Sequence, residues 1–257
     1  MSPVKLHFKS LGEGPSLIIL HGLFGSLDNW QTHAKTLSEY FRVILVDVRN
    51  HGHSPHTTEH NYELLAADLL GLINDLALDK ISLLGHSMGG KAVMRFAQLH
   101  PQRVNKLIVV DMGVKAYPMH HNDIVKGLKS IDFDVINTRV AADVQLAKYI
   151  NDVGVRQFLM KNLYWIDPGK RLAWRMNINT LEREMSSILS ALPEEECNIE
   201  TLFLYGTESN YVLAVDFKNI ELIFKRATFD SIQGAGHWVH AEKPQEFLDA
   251  VLRYLLL

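Results

Sequence analysis

The stretch Leu84-Gly85-His86-Ser87-Met88-Gly89-Gly90 constrains this chain more than any other. The apolar run Ile81-Ser82-Leu83-Leu84 before it predicts a buried strand. Lys91-Ala92-Val93-Met94-Arg95-Phe96-Ala97 after it predicts a helix. Gly-x-Ser-x-Gly between a strand and a helix is the setting of a nucleophile elbow. The demand is steric: the serine sits on a turn so tight that its neighbours must be tiny. Gly85 and Gly89 leave room for strand and helix to approach, and Gly90 lets the helix pack. Ser87 is then held proud of the sheet edge, with the positive end of the helix dipole behind it.

The flanking segments predict what the elbow is built into. Val4 to Ser10 alternates and reads as an early, half-exposed strand. Ser16 to Leu20, Val43 to Val48 and Leu107 to Asp111 are continuous apolar runs, as in strands covered on both faces. Asp28 is placed to cap a helix running to about Tyr40. Tyr62 to Leu78 carries Leu65, Leu69, Leu72, Ile73 and Leu76 at helical spacing. Strands alternating with helices predict an α/β chain with a doubly wound, mostly parallel sheet. The alternation stops from 113 to 196, where only helical patterns are evident. It resumes with strands at Thr201 to Gly206 and Arg226 to Ile232 and a closing helix from Lys243 to Leu255. The expected organisation is a core of 1–112 and 197–257 with a helical cap inserted at 113–196.

Serine needs an adjacent base to act as a nucleophile. Of the 13 histidines, His237 in Gly234-Ala235-Gly236-His237-Trp238 has the best position, just after the last strand. Strand ends converge on one edge of a parallel sheet, so it can reach Ser87. The base in turn needs a carboxylate. After the strand that follows the insertion, where aspartate is the usual residue, the chain reads Gly206-Thr207-Glu208-Ser209. Asp111, ending the strand after the elbow helix, is the favoured acid, and Glu208 is its rival. Ser209 is expected to donate a hydrogen bond to Asp111 or to lie beside His237. Backbone amides of Met88 and Leu23, with Phe24 as the alternative to Leu23, are expected to form an oxyanion hole. Phe24, Ser209, Trp165 and Trp238 are candidate substrate-binding residues. Phe158, Tyr164 and Trp174 are further cap aromatics that line an acyl pocket or form a subdomain core.

The remaining features mainly exclude. His51, His53, His56 and His60 lie close together but lack the spacing of a known zinc motif, so a solvated loop is expected and no metal. No cofactor is implied. The net charge of −3 argues against nucleic acid as a partner. The lone Cys197 cannot form an internal disulfide, and no base is placed to activate it. The first residues lack a signal-like apolar core and no run is long enough to span a membrane, so a cytoplasmic protein is expected.

Four stretches in order carry a resemblance that spans nearly the whole chain. They are His21-Gly22-Leu23-Phe24-Gly25-Ser26-Leu27-Asp28-Asn29, Asp47-Val48-Arg49-Asn50-His51-Gly52-His53-Ser54-Pro55, Gly85-His86-Ser87-Met88-Gly89-Gly90-Lys91 and Gly234-Ala235-Gly236-His237-Trp238-Val239-His240-Ala241-Glu242-Lys243-Pro244. Together they resemble the α/β-hydrolase superfamily, and within it the YbfF-type bacterial esterases, which are related to a mitochondrial α/β-hydrolase. The resemblance implies hydrolysis of carboxylic esters, with coenzyme A thioesters as a further substrate class. In that branch the acid follows the strand after the elbow helix, which matches Asp111. The insertion resembles the family least, and it is the part that sets substrate choice.

The expected activity is therefore a serine carboxylesterase acting on small acyl esters or thioesters through an acyl-enzyme. A dehalogenase of this fold would need a carboxylate in place of Ser87. An acyl-CoA thioesterase is the alternative enzyme, although residues 113–196 hold 11 basic and 11 acidic residues and so no positive field for phosphates. A slow-turnover ligand-binding protein is the alternative from another class, distinguished by a single burst instead of repeated turnover.

Overall fold

The apolar runs become strands, and their alternating side chains fill two cores, one on each side of a single sheet. The computed structural model describes residues 3–167 and 171–257. In chain order the first half comprises β1 (Phe8–Leu11), β2 (Ser16–Leu20), α1 (Gln31–Leu37), β3 (Arg42–Val46), α2 (Tyr62–Asp75), β4 (Ile81–His86), α3 (Met88–Leu99) and β5 (Val104–Val110). Then come α4 (Asn122–Lys129), α5 (Arg139–Leu146), α6 (Val153–Met160), β6 (Leu163–Asp167), β7 (Arg171–Trp174), α7 (Ile178–Arg183) and α8 (Met185–Leu189). The chain closes with β8 (Cys197–Gly206), α9 (Phe217–Ile223), β9 (Phe224–Ile232), α10 (Val239–Glu242) and α11 (Pro244–Leu256).

Seven strands form the main sheet in the order β1-β3-β2-β4-β5-β8-β9. β1 runs antiparallel to β3, and every other neighbouring pair is parallel. Leu17, Ile19, Leu84 and Ile108 face a layer holding Trp30, Leu37, Phe247 and Val251, from α1, α11 and the turn before α1. Ile18, Leu20, Leu83 and Val109 face the opposite layer, with Leu69 and Ile73 of α2 and Val93 and Phe96 of α3. Each such fully buried side chain contributes about 1.5–3 kcal/mol, so the sheet edge is a rigid platform. The sheet is doubly wound, and residues at the carboxyl ends of β2, β4, β5 and β8 converge there.

Three local expectations are corrected. Asp28 caps no helix: Leu27–Trp30 is a 3₁₀ turn, and α1 begins at Gln31 and ends at Leu37. Asn29 Oδ1 instead accepts the Ser26 N–H at 2.7 Å, while Asp28 pairs with Lys9 at 3.1 Å. Helix α2 ends at Asp75, because Ala77 turns left-handed at φ 52°. The segment between β5 and β8 is not wholly helical. It contains the antiparallel hairpin β6–β7, with Leu163 opposite Trp174 and Trp165 opposite Leu172. Cys197, in a stretch that looks polar, is a buried free thiol at the start of β8, and burial raises its pKa.

Lys91 of α3 fastens both ends of that intervening segment. The side chain is fully buried, and its ammonium donates to the Lys115 carbonyl at 2.8 Å and to the Ser190 carbonyl. Desolvation lowers its pKa to about 7. Among the described residues no helix is long and apolar enough to cross a membrane.

Candidate active site

Ser87 occupies the one residue between β4 and α3, at φ 55° and ψ −120°. A left-handed non-glycine residue is strained, and it persists only where its surroundings impose it. Here the Ser87 N–H donates to the Val110 carbonyl at 3.1 Å, and its carbonyl accepts from Lys91 N–H at 3.2 Å. Two glycines make the crossing possible. A Cβ on Gly85 would lie 2.2 Å from the Gly89 oxygen, and one on Gly89 would lie 2.5 Å from the Leu20 oxygen.

The turn brings three distant residues into one hydrogen-bonded row. Ser87 Oγ lies 3.0 Å from His237 Nε2, and His237 Nδ1 lies 2.7 Å from Asp111 Oδ2. A carboxylate accepts, so the proton resides on Nδ1 and the lone pair of Nε2 faces the serine hydroxyl. Asp111 is fully buried at φ 49°, with its N–H tied to the Leu204 carbonyl at 2.9 Å. Ser209 donates to Asp111 Oδ2 at 2.5 Å and accepts the Tyr211 N–H at 3.1 Å. The Gly206 N–H approaches the other oxygen, Oδ1, at 3.4 Å. The serine at 209 therefore supports the carboxylate that replaces it as hydrogen-bond partner of the imidazole. Glu208 points to solvent and contacts neither.

Burial dominates the electrostatics. Desolvation lowers the His237 pKa, so the imidazole is neutral at rest and able to accept a proton. Desolvation also pushes Asp111 up to about 6, against the hydrogen bonds from Ser209 and Gly206 that favour its ionised form. His86, buried and neutral, bonds through Nε2 to the His237 carbonyl at 2.9 Å and fixes the loop carrying the base.

The amides near Ser87 differ in whether they are already engaged. The Phe24 N–H is already used, donating to His51 Nε2 at 3.1 Å. Leu23 and Met88 N–H groups have no acceptor among the described hydrogen bonds, and Met88 opens α3. Among the described residues the Leu23 and Met88 amides are thus unengaged, whereas the Phe24 amide is not. His51 can accept because its Nδ1–H donates to the Arg49 carbonyl at 3.0 Å and burial holds the ring neutral. Asn162 Nδ2 reaches the Phe24 carbonyl at 2.7 Å from the other side. Sequence reasoning weighed His51 only as a metal ligand or a solvated residue, yet it and His60 are fully buried. No group of three or more potential ligands able to hold a metal occurs among the described residues.

Ser87 and His237 open into a cavity of about 250 Å³, walled by Leu23, Phe24, His121, Ile124, Val155, Phe158, Leu159, Tyr211 and Trp238. Phe24 and Trp238 line it as expected. Trp165 and Ser209 do not. The hairpin buries Leu163 and Leu172 and turns Trp165 outward, 38% exposed, while Ser209 faces Asp111. Trp174 packs on Phe133, and Tyr164 lies under the Arg175 guanidinium, so both are structural. Sequence reasoning missed Tyr211, whose ring stacks on His237 with centroids 3.7 Å apart and planes 16° apart. Its nearness to Ser209 in the chain was the only available signal.

The α/β-hydrolase fold family model matches residues 15–148. The mouse sn-1-specific diacylglycerol lipase ABHD11 is 38% identical, over 94% of this chain and 81% of its own. Esterase YbfF of Escherichia coli is 36% identical, over 93% of this chain and 92% of its own. A solved marine microorganism esterase superposes with a TM-score of 0.94 at 40% identity, over 97% of this chain and 99% of that one. The chain is a hydrolase and belongs to the α/β-hydrolase family, among relatives of the esterase and lipase type.

Proposed function

We propose that the protein is a serine carboxylesterase that works through an acyl-enzyme, with Ser87, His237 and Asp111 as its triad. The observation that carries this reading is the continuous row Ser87 Oγ, His237 Nε2, His237 Nδ1, Asp111 Oδ2, with spacings of 3.0 and 2.7 Å, beside two free amides. Ser87 Oγ attacks the ester carbonyl while its proton passes to His237 Nε2. The carbonyl electrons move to oxygen and are held by the Leu23 and Met88 N–H groups. The imidazolium, balanced by Asp111, then protonates the leaving alkoxide as the C–O bond breaks. Water enters, gives its proton to His237, attacks the acyl carbonyl, and Ser87 leaves with that proton. No cofactor takes part in this sequence.

The cavity limits the acyl group. An engineered cavity of about 150 Å³ accommodates benzene, so at that packing about 250 Å³ holds roughly ten heavy atoms. The ester group itself takes several, which leaves acyl chains of about six to eight carbons. Segment 113–196 acts as the cap: α4 and α6 contribute Ile124, Val155, Phe158 and Leu159 over the Ser87 edge. The thiol of Cys197, buried and unpaired, agrees with a reducing, cytoplasmic setting. Ser87→Ala tests the reading. Hydrolysis of p-nitrophenyl butanoate should fall by about 10⁶ in kcat while folding is kept. A folded variant that retains most of its activity overturns it.

A further inference from the structure

Phe24 holds a conformation that its side chain disfavours. The Gly25 N–H donates to the Gly22 carbonyl at 3.0 Å, which closes a turn with Phe24 at its third position and φ 59°. Turns of that hand normally place glycine or asparagine there, because a Cβ is strained in the left-handed region. We propose that Asn162, carried by the cap, is a positioning residue for the oxyanion hole: its buried amide holds Phe24 left-handed and so aims the Leu23 N–H at the reacting carbonyl. The inference rests on the esterase reading and its Leu23–Met88 pair.

Two side chains pin the two peptide groups of Phe24. On the core side His51 Nε2 accepts the Phe24 N–H at 3.1 Å, which fixes the Leu23–Phe24 peptide. On the cap side Asn162 Nδ2 donates to the Phe24 carbonyl at 2.7 Å, which fixes the Phe24–Gly25 peptide. Without the second bond, Phe24 is free to relax toward negative φ by turning its peptide planes. The Leu23 amide, one peptide earlier in the same turn, then loses its direction.

Asn162 is built for this contact. It is 1% exposed and follows α6, whose Phe158 and Leu159 wall the catalytic cavity. Its backbone is fastened on both sides, the N–H to the Leu159 carbonyl at 3.0 Å and the carbonyl to the Arg175 N–H at 2.9 Å. Nδ2 faces two carbonyls, Phe24 and, at 3.4 Å, Leu159, so only the NH₂ end fits there. Oδ1 is buried with no partner among the described residues. An apolar side chain of that size would leave no such orphan, so the bond to Phe24 explains the amide and packing of the cap does not.

Asn162→Leu removes the donor at nearly constant volume, and Asn162→Ala removes it without apolar bulk. Thr180→Val is the control. It deletes a different bond between cap and core, from Thr180 Oγ1 to the Thr57 carbonyl at 2.9 Å, and leaves the oxyanion loop alone. Each variant is assayed on p-nitrophenyl butanoate and titrated with the trifluoromethyl ketone that matches the butanoyl group. Ser87 Oγ adds to the ketone carbon, its proton passes to His237, and the electron pair stays on oxygen with no leaving group. Ketone affinity therefore reads the hole itself. Both Asn162 variants should lower kcat by about 10- to 100-fold, less than deleting a donor outright, with KM changed by less than about threefold. Ketone affinity should weaken by the same factor as kcat/KM. Thr180→Val should move none of these by more than about twofold. Asn162 variants that match the wild type overturn the proposal. A raised KM with kcat and ketone affinity kept makes Asn162 only a cavity wall, and overturns it too. So does an equal loss in Thr180→Val, or unfolding of both Asn162 variants by circular dichroism, since the residue is then structural. A wild type that neither hydrolyses the ester nor binds the ketone overturns the esterase reading itself, and the proposal with it.

Discussion

Asp111→Asn should cost about 10⁴ in kcat, and the structure supplies the reason. The proposed acid follows β5, the sheet neighbour of β8, which leads to position 209. Its Oδ2 lies 2.7 Å from His237 Nδ1. When His237 takes the serine proton, a unit positive charge appears beside that carboxylate. At an effective dielectric of about 20, two charges 2.7 Å apart attract by about 6 kcal/mol. Each 1.36 kcal/mol is a factor of ten in rate, so losing the charge costs roughly 10⁴. Asparagine is nearly isosteric and can present either face. With its oxygen toward Nδ1, the tautomer survives but the imidazolium meets a neutral amide. With its NH₂ toward Nδ1, the proton moves to Nε2 and the ring can no longer accept from Ser87. The loss follows either way, and its size matches that seen when a triad acid is neutralised. The assay is kcat/KM on p-nitrophenyl butanoate for Asp111→Asn and Glu208→Gln, with circular dichroism to confirm folding. Glu208→Gln should lose less than about threefold, because that side chain is solvated. A near-normal Asp111→Asn together with a crippled Glu208→Gln would refute the assignment.

Further outcomes follow from individual contacts. Ser209→Ala removes a hydrogen bond to the ionised form of Asp111. The Asp111 pKa, already raised to about 6, should rise further, so the acid limb of the kcat/KM profile should move up by about one to two pH units. A limb that stays put or moves down would contradict this. Phe158→Ala should enlarge the catalytic cavity and shift the preferred p-nitrophenyl acyl chain to greater length, whereas Trp165→Ala, on the outward side of the hairpin, should leave the chain-length profile unchanged. Lys91→Met leaves the Lys115 and Ser190 carbonyls without their shared donor. It should cost about 2–4 kcal/mol, or a Tm lower by about 5–15 °C in thermal unfolding.

The strands and the elbow were legible because their signals are local. A continuous apolar run such as Leu17 to Leu20 has one stable use, a strand buried on both faces, and Gly85 and Gly89 mark a crossing too tight for any Cβ. That Asp111 and His237 meet beside Ser87 was legible because a parallel sheet gathers strand ends on one edge. The hairpin β6–β7 was not, since its strands are short and Trp165 and Ile166 break the alternation by facing solvent. His51 was misjudged because its polarity suggests exposure. Its burial depends on the Arg49 carbonyl and the Phe24 amide, partners that only the folded loops supply. The same is true of Tyr211. The stack on His237 is set by the turn after β8, whose shape depends on the Ser209–Asp111 contact. Cap residues were the least legible, because which aromatic faces the cavity is decided by helix packing and not by composition.

The central claim is a covalent acyl group on Ser87. Mixing the enzyme with excess p-nitrophenyl butanoate, quenching in acid within the first turnovers, and measuring intact and peptide masses tests it most directly. The account predicts a butanoyl adduct confined to the peptide containing Ser87, absent in Ser87→Ala and accumulating in step with the first equivalent of p-nitrophenol. Sustained turnover in which Ser87 never carries the acyl group, or an adduct at another residue that survives Ser87→Ala, would contradict it.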